Sequence, residues 1–314
     1  MEYTPLYIES YSRGILQERL EELESLLNPC TLCPRQCKAN RLVGDLGYCK
    51  APYDLSISSA SPHFGEEAPL VGHNGSGTIF LTHCNLKCIF CQNYDISIYG
   101  EGTRYTYGKL AALMIDLQDR GCHNINLVTP THYVPQIIKA LTIAIENGLS
   151  TPLVYNTSGY DSTGTIRLLD GIIDIYMPDI KFLDSGLSQR FCKAADYPEV
   201  VRKAVVEMQR QVGDLVVDEH GIARKGLIIR HLVMPSCGED TKRIMEFIRD
   251  EVSQNAFVNI MAQYHPCHRA GEFEEIAGRI SSKEHTEAIG YARSIGLSRA
   301  FNYLVFLPVY RLPL

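Results

Sequence analysis

Three cysteines share one short stretch: Cys84, Cys88 and Cys91 in CNLKCIFC, a C-x3-C-x2-C spacing. Three thiolates on one loop can each take an iron of a cubane [4Fe-4S] cluster. No fourth cysteine lies at close range, so the fourth iron stays open to a non-protein ligand. An open position distinguishes a catalytic metal centre from a closed structural one, as it does for zinc. Leu86, Ile89 and Phe90 would limit water around such a cluster, and burial shifts its potential. Spacing alone also fits a zinc site or free buried thiols.

A second group, Cys30, Cys33, Cys37 and Cys49, reads C-x2-C-x3-C-x11-C. Four thiolates within 20 residues make a closed ligand set for zinc or a second iron–sulfur cluster, and spacing does not choose between them. The chain holds 11 cysteines, an odd number, and seven fall between Cys30 and Cys91. In a reducing compartment that clustering points to metal rather than disulfides. Cys122 and Cys192 read as buried free thiols. Cys237 and Cys267 each follow a strand-terminal proline, Cys267 beside His265 and His268, and are candidates to face a substrate.

The elements that must position these residues are visible as hydrophobic periodicity. Ile15, Leu16, Leu20, Leu23, Leu26 and Leu27 mark an amphipathic helix. Residues 29–76 show little period and read as a loop-rich segment needing a metal staple. From Gly77 onward, apolar strands alternate with amphipathic helices. Strands are expected at Thr78–Thr82, Asn124–Thr129, Leu153–Asn156, Ile172–Met177, Leu227–Met234, Phe257–Gln263 and Tyr303–Leu307. Helices are expected at Lys109–Arg120, Val134–Asn147, Thr165–Leu169, Ser188–Gly213 with a break near Pro198, Asp240–Val252 and Thr286–Ile295. Leu215–Gly226 reads as a small hairpin. About six strand–helix units imply a parallel sheet covered by helices, with chemistry gathered at the C-terminal strand ends. Polar residues collect there: His83–Cys84, Thr129–His132, Asn156–Ser158, Asp179, Ser236–Cys237 and Tyr264–His265.

Composition fits this reading. Of 314 residues, 45% are hydrophobic and 21% charged, enough for a sizeable core. A net charge of −6 with no long basic run argues against a dedicated duplex nucleic-acid binder. Apolar runs such as Tyr303–Val309 fall far short of the roughly 20 residues that span a bilayer, so no membrane partner is expected. The opening MEYTPLYIESYSRG lacks the charged-then-apolar pattern of a secretion signal, and the expected location is cytoplasmic. GHNGSGT precedes a strand and GYDSTGT lacks a lysine, so neither is a nucleotide loop.

With Phe90 just before the third cysteine, CNLKCIFC after the first strand resembles the signature of radical S-adenosylmethionine enzymes. The resemblance covers roughly residues 77–265 and implies a partial (β/α)6 TIM-type barrel, here with an N-terminal cysteine-rich metal-binding extension (residues 1–76) and a C-terminal helix and strand extension (266–314). HCNLKCIFCQN, IYMPDIKF, RHLVMP and QYHP look like the pyruvate formate-lyase activating enzymes and their related branch.

That resemblance implies S-adenosylmethionine chelating the open iron, reductive cleavage to a 5′-deoxyadenosyl radical, and hydrogen abstraction from a substrate, in this subgroup a glycine of a partner glycyl-radical enzyme. It implies an electron donor such as flavodoxin or ferredoxin and allows a protein or peptide substrate. By position it assigns Phe90 near adenine, Asn156, Thr157, Asp179 and Lys181 around the methionine carboxylate and ribose, Arg230 and Leu232 near carboxylate and adenine, and His265 near ribose. The family's second strand commonly ends in Gly-Gly-Glu, binding the methionine amine. This chain has LVTPTH there, leaving Thr129 to take over. The reading of another class is a non-catalytic iron–sulfur electron carrier or a zinc-stabilised binding module, with closed sites and no cavity at the barrel mouth.

Overall fold

The computed structural model describes residues 3–301. Its elements run α1 (Leu6–Ser12), α2 (Ile15–Ser25), β1 (Leu55–His63), α3 (Ala68–Val71), β2 (Ser76–Leu81), α4 (Tyr94–Ser97), β3 (Thr103–Tyr105) and α5 (Tyr107–Asp119). Then follow β4 (Ile125–Val128), α6 (Val134–Glu146), β5 (Leu153–Thr157), α7 (Thr163–Arg167), β6 (Ile175–Pro178), α8 (Ser185–Cys192) and α9 (Tyr197–Val212). The chain continues through β7 (Val216–Val217), β8 (Ala223–Leu232), α10 (Gly238–Phe247), β9 (Phe257–Met261), α11 (Ser282–Ser294) and β10 (Ala300–Phe301).

One sheet has the order β10-β9-β8-β6-β5-β4-β2-β1-β3. From β2 to β10 neighbouring strands are parallel, and their order follows the chain. The result is a mixed α/β fold with a largely parallel sheet, consistent with a partial (β/α)6 barrel. Side chains alternate across each strand. On β5, Leu153 and Tyr155 join the core under the helices, while Val154 and Asn156 point into the barrel. Leu70 of α3 plugs the lower barrel, packing with Val154, Ile175, Met177, Ile228 and Phe257. Asn124 fastens the plug, donating to the Leu70 carbonyl at 2.8 Å and accepting from Ser76 Oγ at 2.6 Å.

Residues 29–76 are not all loop. The nine-residue β1 pairs antiparallel with β2, and β3 pairs antiparallel with β1. The serine-rich run LSISSASPH hid this strand, because only its first half is buried. The expected hairpin forms, with Val216 and Val217 against Lys225 and Ala223, but its second arm runs on unbroken as β8. The long helical stretch after Ser188 divides between Cys192 and Tyr197, and Pro198 starts the second helix, where its missing N–H costs nothing. The expected strand Tyr303–Leu307 lies outside the described residues. Among the described residues no helix is long and apolar enough to cross a membrane.

Candidate active site

At the C-terminal strand ends a cavity of about 240 Å³ opens. Cys84, Cys88 and Cys91 all line it. Opposite them stand Thr129 after β4, Asn156 and Thr157 of β5, Asp179 and Lys181 after β6, and Arg230 and Leu232 of β8. Phe90 completes an apolar wall, packing edge-on to Phe182 and Tyr264. Residues spread over 150 positions thus converge on one face, because parallel strands all end there.

The cysteine loop is folded around its sulfurs. His83 and Lys87 take positive φ values of 69° and 61°, curling the loop back on itself. The amides of Leu86 and Lys87 donate to the Cys84 sulfur, the former at 3.4 Å. The Asn93 amide and the Ser97 side chain donate to Cys91. Burial pushes the Cys84 thiol up and the Cys91 thiol up to about 12. Buried thiols stay protonated unless a cation takes their charge. Donors already aimed at the sulfurs, in a buried setting hostile to a bare thiolate, fit a cationic metal cluster. Among the described residues no three His, Cys, Asp or Glu side chains are placed to share one metal ion. A cubane does not need that convergence, since each thiolate sits on its own iron.

Across the cavity lies a buried ionic network. Arg230 donates from Nε to Asp179 Oδ1 at 2.8 Å and from Nη2 to Asn156 Oδ1 at 2.7 Å. Lys181 Nζ reaches Asp179 Oδ2 at 2.7 Å. Burial pushes the Asp179 carboxyl up, but Arg230 and Lys181 more than offset it and hold it below the ordinary carboxylate range. From below, Glu66 approaches Arg230 Nη1 at 3.5 Å. Burial raises Glu66 to about 7 against the pull of Arg230. Arg230 thus lies in the field of Asp179, Glu67 and Glu66, while Lys181 shares Asp179.

Thr129 has φ 59°, a left-handed conformation that is unusual for a β-branched residue. Its amide donates to the Asn156 carbonyl at 2.8 Å. The neighbouring rim is tied down by buried Asp161, which accepts from Thr131 at 2.7 Å, Tyr155 at 3.0 Å and Thr157 at 2.6 Å. Of the residues expected near the cofactor, only His265 lies outside the cavity. Its Nδ1 stands 3.2 Å from the side chain of Gln92, which does line it. Cys237 and Cys267 are also absent from the lining. Lys87, Gln92, Asn93, Ser97 and Gln263 join the cavity without having been singled out for a role in the sequence, while Ser158, one of the expected strand-end polar residues, lines it too.

The four N-terminal thiols sit beside the loop rather than in the cavity. Cys30 is hydrogen-bonded to Cys37, and Cys33 lies in the electrostatic field of Cys49 and Cys30. The Asn85 side chain, next to Cys84, hydrogen-bonds to Cys33. Arg35 clamps this segment to the loop, donating to the carbonyls of Asn85 at 2.9 Å and Leu86 at 3.3 Å. Among the described residues these four thiols, like the three of the loop, are not placed to share one metal ion.

No protein-family model matches the chain. It is 30% identical over 308 residues to the uncharacterized protein MJ0674 of Methanocaldococcus jannaschii, covering 94% of this chain and 83% of that one. It is 21% identical over 268 residues to the uncharacterized protein MJ0808 of the same organism, covering 79% and 74%. Crystal structures of Streptococcus suis SuiB, one bound to precursor peptide SuiA and one to S-adenosylmethionine, align with TM-scores of 0.47 and 0.46 at 16% identity. Each alignment covers 70% of this chain, which spans 47% and 45% of those two SuiB chains, less than half of either.

Proposed function

The chain belongs to the family of MJ0674, and we propose that it is a radical S-adenosylmethionine enzyme, with a [4Fe-4S] cluster on Cys84, Cys88 and Cys91 and the sulfonium cofactor in the adjoining cavity. One observation carries this reading: three thiols on the loop after the first parallel barrel strand line the same cavity as the Arg230–Asp179–Lys181 network. A closed electron carrier or a zinc module has no use for a polar cavity beside its thiols.

When bound, the cluster supplies the electron that cleaves the sulfonium and starts hydrogen abstraction. The chain's own residues bind and orient. Lys181 and Arg230 offer positive charge to the cofactor carboxylate. Thr129, Asn156 and Thr157 offer oxygen atoms to its ammonium and ribose groups, with His265 beside Gln92 at the rim. Phe90 and Leu232 give the adenine an apolar slot, and the buried loop keeps water from the sulfurs.

The finer assignments rest on the resemblance of IYMPDIKF, RHLVMP and QYHP to the activating enzymes. They are a glycine of a partner protein as hydrogen donor, or another peptide substrate, and flavodoxin or ferredoxin as reductant. Cys30, Cys33, Cys37 and Cys49 form the proposed second centre. Its metal is zinc or an iron–sulfur cluster.

The test is anaerobic reconstitution with iron and sulfide. The reading expects a reduced-cluster electron paramagnetic resonance signal that changes when S-adenosylmethionine is added and that is lost in C84A/C88A/C91A. A signal indifferent to S-adenosylmethionine would refute it. Metal analysis of the same triple variant tests the second centre, which predicts that zinc or iron remains bound there.

A further inference from the structure

Two of the three loop sulfurs receive their hydrogen bonds from the loop itself or from α4: Cys84 from the amides of Leu86 and Lys87, Cys91 from the Asn93 amide and Ser97. Cys88 is served differently. Its Sγ lies 3.5 Å from the Sγ of Cys192, the last residue of α8, more than 100 positions away in sequence. Cys192 is fully buried.

The contact is held from three sides. The Ile89 amide donates to the Phe191 carbonyl at 2.9 Å, bolting the cysteine loop to the end of α8. Lys193 takes a left-handed φ of 59° and ends the helix directly after Cys192. Arg35 spans the junction, donating to the Lys193 carbonyl at 2.7 Å on one side and to the Asn85 carbonyl at 2.9 Å on the other.

We propose that Cys192 is a positioning residue for the cluster: its S–H donates to the Cys88 sulfur and eases reduction of the metal centre. This rests on the radical S-adenosylmethionine reading above. A thiolate bound to iron has no proton to give, so in the 3.5 Å contact Cys192 must be the donor. A hydrogen bond to a cluster sulfur stabilises the state with more negative charge, the reduced one, and raises the potential. Cys192 is fully buried, so water does not compete for its proton.

The experiment compares the reconstituted wild type with C192A, C192V and C192S. The valine fills the volume that alanine leaves empty, should the cavity unfold the chain. Iron per chain is counted, and a redox titration follows the signal that responds to S-adenosylmethionine. We expect equal iron in all four proteins. In C192A and C192V the reduction equilibrium weakens about tenfold, a shift of about 59 mV to more negative potential for one electron. C192S, which keeps a donor, stays near the wild type. Equal potentials in all four overturn the inference and leave the cluster reading intact. Iron lost in every variant also overturns it, because Cys192 is then a ligand. A wild type that takes up no cluster refutes the underlying reading instead.

Discussion

Arg230 Nε donates to Asp179 Oδ1 at 2.8 Å, where the backbones following β6 and within β8 form a parallel bridge at the barrel mouth. The two side chains are only 16% and 17% exposed, and Lys181 shares the same carboxylate. Removing the acid takes the ion-pair partner from buried Lys181 and leaves Arg230 only Asn156 and the longer contact with Glu66. Asp179→Ala is expected to lose about 3–5 kcal/mol of unfolding free energy in urea, the usual cost of breaking a buried pair. A variant as stable as the wild type would show that the network contributes nothing.

Glu66 has the opposite electrostatics. Its ordinary value of 4.5 rises to about 7 because burial outweighs the attraction of Arg230. Between those values the folded chain holds a proton that the unfolded chain has released, so stability falls as pH rises through this window. Glu66→Gln keeps the shape without the titration. Relative to this variant, the melting temperature of the wild type should decline from about pH 4.5 to about 7 and then level off. A difference constant with pH would contradict the raised value.

Thr129, in the LVTPTH stretch that follows β4, is β-branched yet holds φ 59°. A strained left-handed residue costs about 1–3 kcal/mol, and glycine's extra chain entropy takes back about 0.5–1. Thr129→Gly should therefore raise unfolding free energy by about 1 kcal/mol while weakening binding of S-adenosylmethionine. Lower stability would mean that the rim is not strained.

Asp161 is the rim's internal anchor. Its three hydroxyl partners, on Thr131, Tyr155 and Thr157, are all buried. Asp161→Ala leaves them unsatisfied and should cost about 3 kcal/mol in denaturant, with Asp161→Asn intermediate because its amide can still accept. Equal stability of the alanine variant would remove the anchor from the account.

How far the sequence revealed the site follows from which signals are local. The spacing of Cys84, Cys88 and Cys91 is local, and so are the apolar strands that end beside Asn156, Asp179 and Arg230; all of these were legible. Glu66, Asp161 and Cys192 were not. Each acts through a partner that only folding brings near: Glu66 through the plug under the barrel, Asp161 through hydroxyls on two strand ends, Cys192 through the end of a helix. Strand β1 was missed for a related reason. Half of it faces solvent, so its serines broke the apolar pattern while its backbone still paired with β2.

The most direct measurement is product formation. Anaerobically reconstituted protein, given S-adenosylmethionine and a strong reductant, should release 5′-deoxyadenosine, and C84A/C88A/C91A should release none. A wild type that loads iron on these three cysteines and leaves S-adenosylmethionine intact after reduction would contradict the account.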